Sequence, residues 1–273
     1  MSVSALTIPR FIDCHAHLHD FSDAEVSEIL ARAEQVGVSA IITAGTTPES
    51  SKRAVYLAET FPKMFAGVGI HPMDLTGPVD EPTYTELKET ALSSEKVVVM
   101  SEVGLDYMEG APDRATQFQA FREQIRLARE LALPVVFHSR ESHTDTLRVL
   151  REEQAYEVGG AMHYFQGNES TARSVIDMGM YISLARPLLH LPELQRVAKD
   201  VPLEHIVLET DTFPQPFKKK RENWTEPRHL ADIAVKLAEL KGMEVDEVQR
   251  VTTANALRML GGKATALLGI LES

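Results

Sequence analysis

The chain has 273 residues, 44% of them apolar and 25% charged, an ordinary composition for a folded globular protein. A formal charge of −12 argues against a broad nonspecific grip on nucleic acid, and a single cysteine, Cys14, excludes an internal disulfide. No apolar run reaches membrane-spanning length, and Met1–Arg10 lacks the basic start and apolar centre of a secretory signal, so a cytoplasmic protein without a membrane is expected.

The first element is an apolar strand running into Phe11-Ile12-Asp13-Cys14-His15-Ala16-His17-Leu18. Period-two alternation predicts Asp13, His15 and His17 on one face, with Cys14 and Ala16 on the other. Two imidazoles side by side on rigid backbone make half of a metal site, and a nearby carboxylate could orient one of them. Ser22-Asp23 then caps a helix over Ala24–Gln35, and Ser39–Gly45 reads as a strand buried on both faces. Thr47-Pro48 opens a second helix, Met64–Ile70 is a third strand ending at His71-Pro72, and Met73–Pro82 is a loop. Tyr84–Ser93 reads as a helix, and Lys96–Ser101 as a fourth strand running into Glu102. A long amphipathic helix, about Asp113–Leu131, precedes a fifth strand, Leu133–Phe137, that ends at His138-Ser139-Arg140.

The second half repeats the alternation. A helix over Ser142–Glu153 leads to a short strand at Gly159–Met162 reaching His163. Glu169–Met178 is a helix and Met180–Leu184 a seventh strand. Pro192–Lys199 is a helix, and His205–Leu208 an eighth strand running into Glu209-Thr210-Asp211. Two helices, about Glu226–Leu240 and Asp246–Leu260, close the chain. Eight strands alternating with helices imply parallel pairing, and at this length a (β/α)8 TIM barrel formed by one domain over residues 1–273. An open doubly wound sheet would be expected to carry a glycine-rich phosphate turn after the first strand, and none is present.

The polar residues carry the functional argument. His15, His17, His71, Glu102, His138, His163 and Asp211 all follow predicted strands at their carboxyl ends, which in a barrel converge on the face that bears active sites. Four imidazoles and two carboxylates suffice for two divalent ions. Only a carboxylate can bridge, and Glu102 lies on the middle strand of the set. The expected division is His15, His17, Glu102 and Asp211 on one ion, with Glu102, His138 and His163 on the other. Nitrogen-rich sites suit zinc, manganese, iron or nickel, and magnesium joins them if phosphate and water complete the shell. Such a pair lowers the pKa of a bound water and clamps both oxygens of a displacement; Asp211 could accept the water's proton. His71 and Arg140 are candidates for the substrate, Arg140 through its fork. His143, His190, His205 and His229 read as surface or capping residues, and His19 as a loop residue or a participant in the chemistry. The basic run Lys218-Lys219-Lys220-Arg221 is either a solvated turn or a local attractor for a polyanion.

These residues resemble the TatD family of metal-dependent deoxyribonucleases, within the wider amidohydrolase-like barrels. The resemblance is carried by Asp13-Cys14-His15-Ala16-His17, Gly69-Ile70-His71-Pro72, Glu102-Val103-Gly104-Leu105-Asp106, Pro134–Arg140, His163-Tyr164-Phe165-Gln166-Gly167 and Leu208-Glu209-Thr210-Asp211, with Asn255 and Leu260 fitting the closing helix. It implies a two-metal hydrolase that cleaves phosphodiesters in DNA, in several members as a 3′→5′ exonuclease, and supports the ligand assignment above; Glu102, Asp211 and His71 are the expected catalytic residues. DNA or a nucleotide phosphodiester is then the partner, with no obligatory protein partner. The chain departs from the family at Tyr164, where Cys is usual, and at Thr212-Phe213, where a small residue and Pro are usual; both positions are expected to line the pocket. The alternative is an amidohydrolase acting on a cyclic amide, lactone or acyl ester. That reading is weakened because Lys96, the lysine on strand four, sits at the wrong end to bridge metals. A non-catalytic barrel is a third reading, disfavoured by the intact ligand set.

Overall fold

The computed structural model describes residues 11–271. Met1–Arg10, expected to lack an export signal, lies outside the described residues. Eight parallel strands follow one another around the sheet in chain order: β1 (Phe11–Ala16), β2 (Val38–Ala44), β3 (Met64–Val68), β4 (Val97–Asp106), β5 (Val135–Arg140), β6 (Gly160–Met162), β7 (Tyr181–Leu184) and β8 (Ile206–Leu208). The sheet closes on itself where Asp211 N–H donates to the His15 carbonyl at 3.0 Å and His17 N–H to the Thr212 carbonyl at 2.6 Å. The architecture is the TIM barrel expected from the alternation.

The helices are α1 (Asp23–Glu34), α2 (Pro48–Thr60), α3 (Glu81–Leu92), α4 (Arg114–Glu130), α5 (His143–Glu152), α6 (Glu169–Ile176), α7 (Pro192–Asp200), α8 (Leu230–Lys241), α9 (Val245–Leu260) and α10 (Thr265–Leu271). Local chemistry sets their starts. Ser22 and Glu25 form a capping box at α1, and Asp80 and Asp113 accept N–H bonds at α3 and α4. Helix α3 begins at Glu81, not Tyr84, because Pro82 occupies a first-turn position that needs no N–H. Helix α8 begins at Leu230, not Glu226, because Pro227–His229 winds as a tight 3-10 turn. Helix α10 had no counterpart in the sequence reading. Among the described residues no helix is long and apolar enough to cross a membrane.

The apolar core has two shells. The larger packs the helices onto the outside of the sheet. The smaller joins Cys14, Ile42, Phe65, Val136, Ala161 and Val207 to Met259, Leu260 and Leu267 of the last two helices. Val136, Ala161 and Val207 lie two residues before His138, His163 and Glu209, so they share those residues' face and fill the barrel interior. The side-chain amide of Asn255 donates to the Leu203 and Ile206 carbonyls at 2.8 Å each, which fixes α9 at the amino end of β8, beneath this interior.

Two register shifts decide what the other end presents. Between Asp13 and Ala16, β1 advances three residues while β2 advances two, from Ile41 to Thr43. Between Met100 and Val103, β4 advances three while β5 advances two, from Val135 to Phe137. Each strand therefore carries one surplus residue, which lets two neighbours face the same way. The strict alternation expected for β1 fails for this reason. Cys14 and His15 both face inward, while Asp13 accepts bonds from Thr210 N–H (2.9 Å) and Oγ1 (2.5 Å). Buried away from water, its carboxyl is pushed up to about 8.

Candidate metal centre and active site

Glu102 is the hub. Its Oε2 lies 3.4 Å from His15 Nε2 and 3.2 Å from His17 Nε2. Its Oε1 lies 3.0 Å from His138 Nδ1, 3.1 Å from His163 Nε2 and 3.4 Å from His71 Nε2. Asp211 Oδ1 is 3.4 Å from His17 Nε2, and the His15 and His17 Nε2 atoms are 3.2 Å apart. All seven residues named from the sequence, Arg140 aside, are thus brought together. Burial opposes a charge on Glu102, but the surrounding imidazolium charges and the bonds from His138 and His15 hold its carboxyl well below the usual range. Burial would discharge His17, yet bonds to Asp211 and Glu102 lift it to about 10.

The other ring nitrogens explain why these side chains converge. His17 Nδ1 is 3.1 Å from the Ala44 carbonyl, which only accepts, so Nδ1 keeps its hydrogen and Nε2 is the nitrogen that offers a lone pair once the ring is neutral, as it would be with a cation in place of the proton. His138 Nε2 donates to Asp106 Oδ2 at 2.8 Å, leaving Nδ1 toward Glu102. His163 Nδ1 lies 2.9 Å from Glu209 Oε1, and His15 Nδ1 lies 3.3 Å from Ser101 Oγ. Glu209 is itself held, accepting from Tyr164 N–H at 2.6 Å and Ser183 Oγ at 2.5 Å. His71 differs. Its Nδ1 accepts the Met73 N–H at 3.1 Å, so a neutral ring carries its hydrogen on Nε2 and presents a donor to the cavity.

This geometry fits metal ions. A tetrahedral ion with ligands at about 2.0–2.1 Å has ligand–ligand edges of about 3.3 Å. The edges among His15, His17, Glu102 and Asp211 are 3.2–3.4 Å where they are in contact. Three overlapping donor sets keep their ligand atoms within 4.8 Å of one another: His15-Glu102-His163, His15-His17-Asp211 and His71-Glu102-His138. The tautomer of His71 argues against its use in the third.

A family model described as TatD related DNase matches residues 12–261. The chain belongs to the TatD family. It is 34% identical over 253 residues to the metal-dependent hydrolase YabD of Bacillus subtilis (strain 168), covering 90% of this chain and 97% of YabD. It is 33% identical over 251 residues to the 3′-5′ ssDNA/RNA exonuclease TatD of Cronobacter sakazakii, covering 87% of this chain and 92% of that protein. The crystal structure of YjjV, a TatD homolog of Escherichia coli K12, superposes with a TM-score of 0.83 at 28% identity, covering 92% and 98% of the two chains. The chain is accordingly a metal-dependent hydrolase of the TatD type, acting on ester bonds.

Around this TatD centre lies a cavity of about 620 Å³, lined among others by His19, His71, Arg140, His143, Tyr164 and Phe213. Arg140 stands at its edge, its Nε and Nη2 held 2.9 and 2.7 Å from Asp106 Oδ2. Of the two departures from the family pattern, Tyr164 and Phe213 line the cavity. Thr212 does not, being buried with its hydroxyl 2.7 Å from Thr210 Oγ1. Lys96 is remote from the TatD centre, donating to the Ala58 carbonyl at 2.5 Å.

Three participants were missed in the sequence. Asp106 and Glu209 orient ligands, a role no spacing shows because their partners lie on other strands. His143 was read as a surface or capping residue, yet it lines the cavity. A hydrogen-bond chain fixes its tautomer. Ser142 Oγ donates to the Leu105 carbonyl (2.7 Å), so Thr146 Oγ1 donates to Ser142 (3.1 Å) and Ser139 Oγ to Thr146 (3.1 Å). Ser139 must then accept from His143 Nδ1 at 2.8 Å, leaving Nε2 as the free acceptor.

Proposed function

We propose that this site holds two divalent cations and hydrolyses phosphodiester bonds at the ends of DNA strands, working 3′→5′. The observation that carries the reading is the Glu102 carboxylate, with different imidazoles on each of its two oxygens. His15, His17, Glu102 and Asp211 would hold one ion; Glu102, His138 and His163 the other. Bound there, zinc, manganese, magnesium, iron or nickel would supply Lewis acidity and a water acidified toward neutral pH.

The chain's own residues do the rest. Asp211 lines the cavity and accepts the proton of the attacking water. The Nε2–H of His71 donates to a phosphoryl oxygen, stabilising charge as it builds. Arg140, held by Asp106, keeps its remaining donors for the phosphate. Residues 1–273 act as one domain, and the substrate is DNA or a nucleotide diester met in the cytoplasm.

The test is chelation, reloading with each metal in turn, and assay of single-stranded DNA labelled at either end. Metal-dependent release of nucleotides from the 3′ end, abolished in Glu102→Ala, is the expected result. Metal-loaded protein that leaves DNA and simple phosphodiesters intact would overturn the reading.

A further inference from the structure

A second cleft, of about 530 Å³, is lined by Arg186, Lys218, Lys219, Glu222, Asn223 and His229. Arg186 follows β7, and the lysines belong to the loop after β8, so the cleft lies on the same end of the barrel as the active cavity. Arg186 acts electrostatically on Tyr164, which lines the active cavity, and on Lys218 and His229 of the cleft. The cations of this loop fall into two sets. Lys220 is spent on Glu222 at 3.3 Å and Arg221 on Glu226 at 3.0 Å. Arg186, Lys218 and Lys219 have no acidic partner among the described residues. Glu222 is the acid of the cleft, and Lys220 partly offsets it. Lys218 Nζ is steadied by the Asn223 carbonyl at 3.0 Å.

Aromatic rings accompany these charges. Phe213 lines the active cavity, and its ring centroid is 6.5 Å from that of Phe217. Phe217 is 72% exposed, the most exposed of the large apolar side chains among the described residues. Unpaired cations beside an exposed ring are the features that hold single-stranded nucleic acid: the cations follow the backbone and the ring stacks on a base of any kind. In a chain of net charge −12 this combination is not a by-product of general basicity.

We infer that this cleft is the path of the DNA strand as it leaves the cut site, with Phe217 stacking on a base and Arg186, Lys218 and Lys219 holding the next phosphates. The inference rests on the phosphodiesterase reading above and extends it from the reacting bond to the flanking strand.

The test compares metal-loaded wild type with Lys218→Ala/Lys219→Ala and Phe217→Ala on two substrates. One is bis(p-nitrophenyl) phosphate, too short to reach the cleft; the other is a twelve-residue oligothymidylate. On the oligonucleotide KM should rise about tenfold in each variant, with kcat little changed. The lysine variant should also lose about 0.7 from its log–log salt slope for each phosphate contact removed. The small diester should be cleaved as before. Unchanged oligonucleotide kinetics and salt slope would overturn the inference and leave the phosphodiesterase reading standing. If wild type cleaves neither substrate, the phosphodiesterase reading falls, and fluorescence anisotropy of the labelled oligonucleotide decides the cleft. Weaker binding by both variants supports it; equal binding or none overturns it. Equal competition by polyglutamate would also overturn the assignment to DNA, since an anion surface without stacking does not discriminate.

Discussion

His138 is clamped between two carboxylates: its Nε2 donates to Asp106 at 2.8 Å while its Nδ1 faces Glu102 at 3.0 Å. Asp106 therefore sets which nitrogen is free for a cation. Glu209 stands in the same relation to His163. Asp106→Asn and Glu209→Gln should each lower metal affinity about 10–100-fold, the usual effect of removing an orienting carboxylate. Competition with a chromogenic chelator measures this. Wild-type affinity in both variants would show that the rings orient themselves.

Removal of the metal should destabilise the fold, because the converging donors exist as a set only in the native state. An ion held at one hundred times its dissociation constant adds about 2.7 kcal/mol. For a chain of this size that corresponds to roughly 5–10 °C in melting temperature. Scanning calorimetry with and without EDTA tests it, and coincident melts would contradict it.

Much of this was legible in the sequence, and the reason is physical. Eight buried strands must be apolar, so a charged or imidazole side chain at the end of six of them stands out. The remainder depended on adjacency that one dimension does not carry. Asp106 meets His138 only because β4 and β5 pair, and Glu209 meets His163 across the barrel mouth. His143 seemed a surface residue because nothing in its spacing shows that Ser139 turns its ring into the cavity. Cys14 was placed on the wrong face because a surplus residue in a strand leaves no mark on an apolar pattern.

Glu226 is buried, its side chain 4% exposed, among Arg32 (2.8 Å), Arg221 (3.0 Å) and Arg228 (3.3 Å). Burial opposes its charge, but these guanidinium groups win and hold its carboxyl below the usual range. A depressed folded-state pKa contributes stability that is present above the unfolded value of about 4.3 and lost as pH falls through the folded one. Glu226→Gln should cost about 2 kcal/mol at pH 7, and the gap to wild type should close below about pH 4. Urea melts across that range measure it; a gap independent of pH would refute the assignment.

Gly104 has φ +149°, and a Cβ there would stand 2.0 Å from the His138 carbonyl oxygen. Gly104→Ala should destabilise by about 3 kcal/mol and displace the strand that carries His138. A variant with wild-type melting and metal content would disprove this.

The chain from Leu105 through Ser142, Thr146 and Ser139 requires the His143 hydrogen on Nδ1. Nitrogen-15 NMR of the neutral ring distinguishes the two tautomers. Ser139→Ala, which removes the oxygen that Nδ1–H donates to, should redistribute them; a hydrogen found on Nε2 in wild type would contradict the argument.

The paired irregularities in β1 and β4 bear on design. Grafting the liganding side chains onto an idealised eightfold barrel would leave either His15 or Glu102 aimed outward at the surrounding helices. A designer who wants this centre must transplant both additional backbone units along with it, accepting imperfect ladders so that opposing walls can reach a common point.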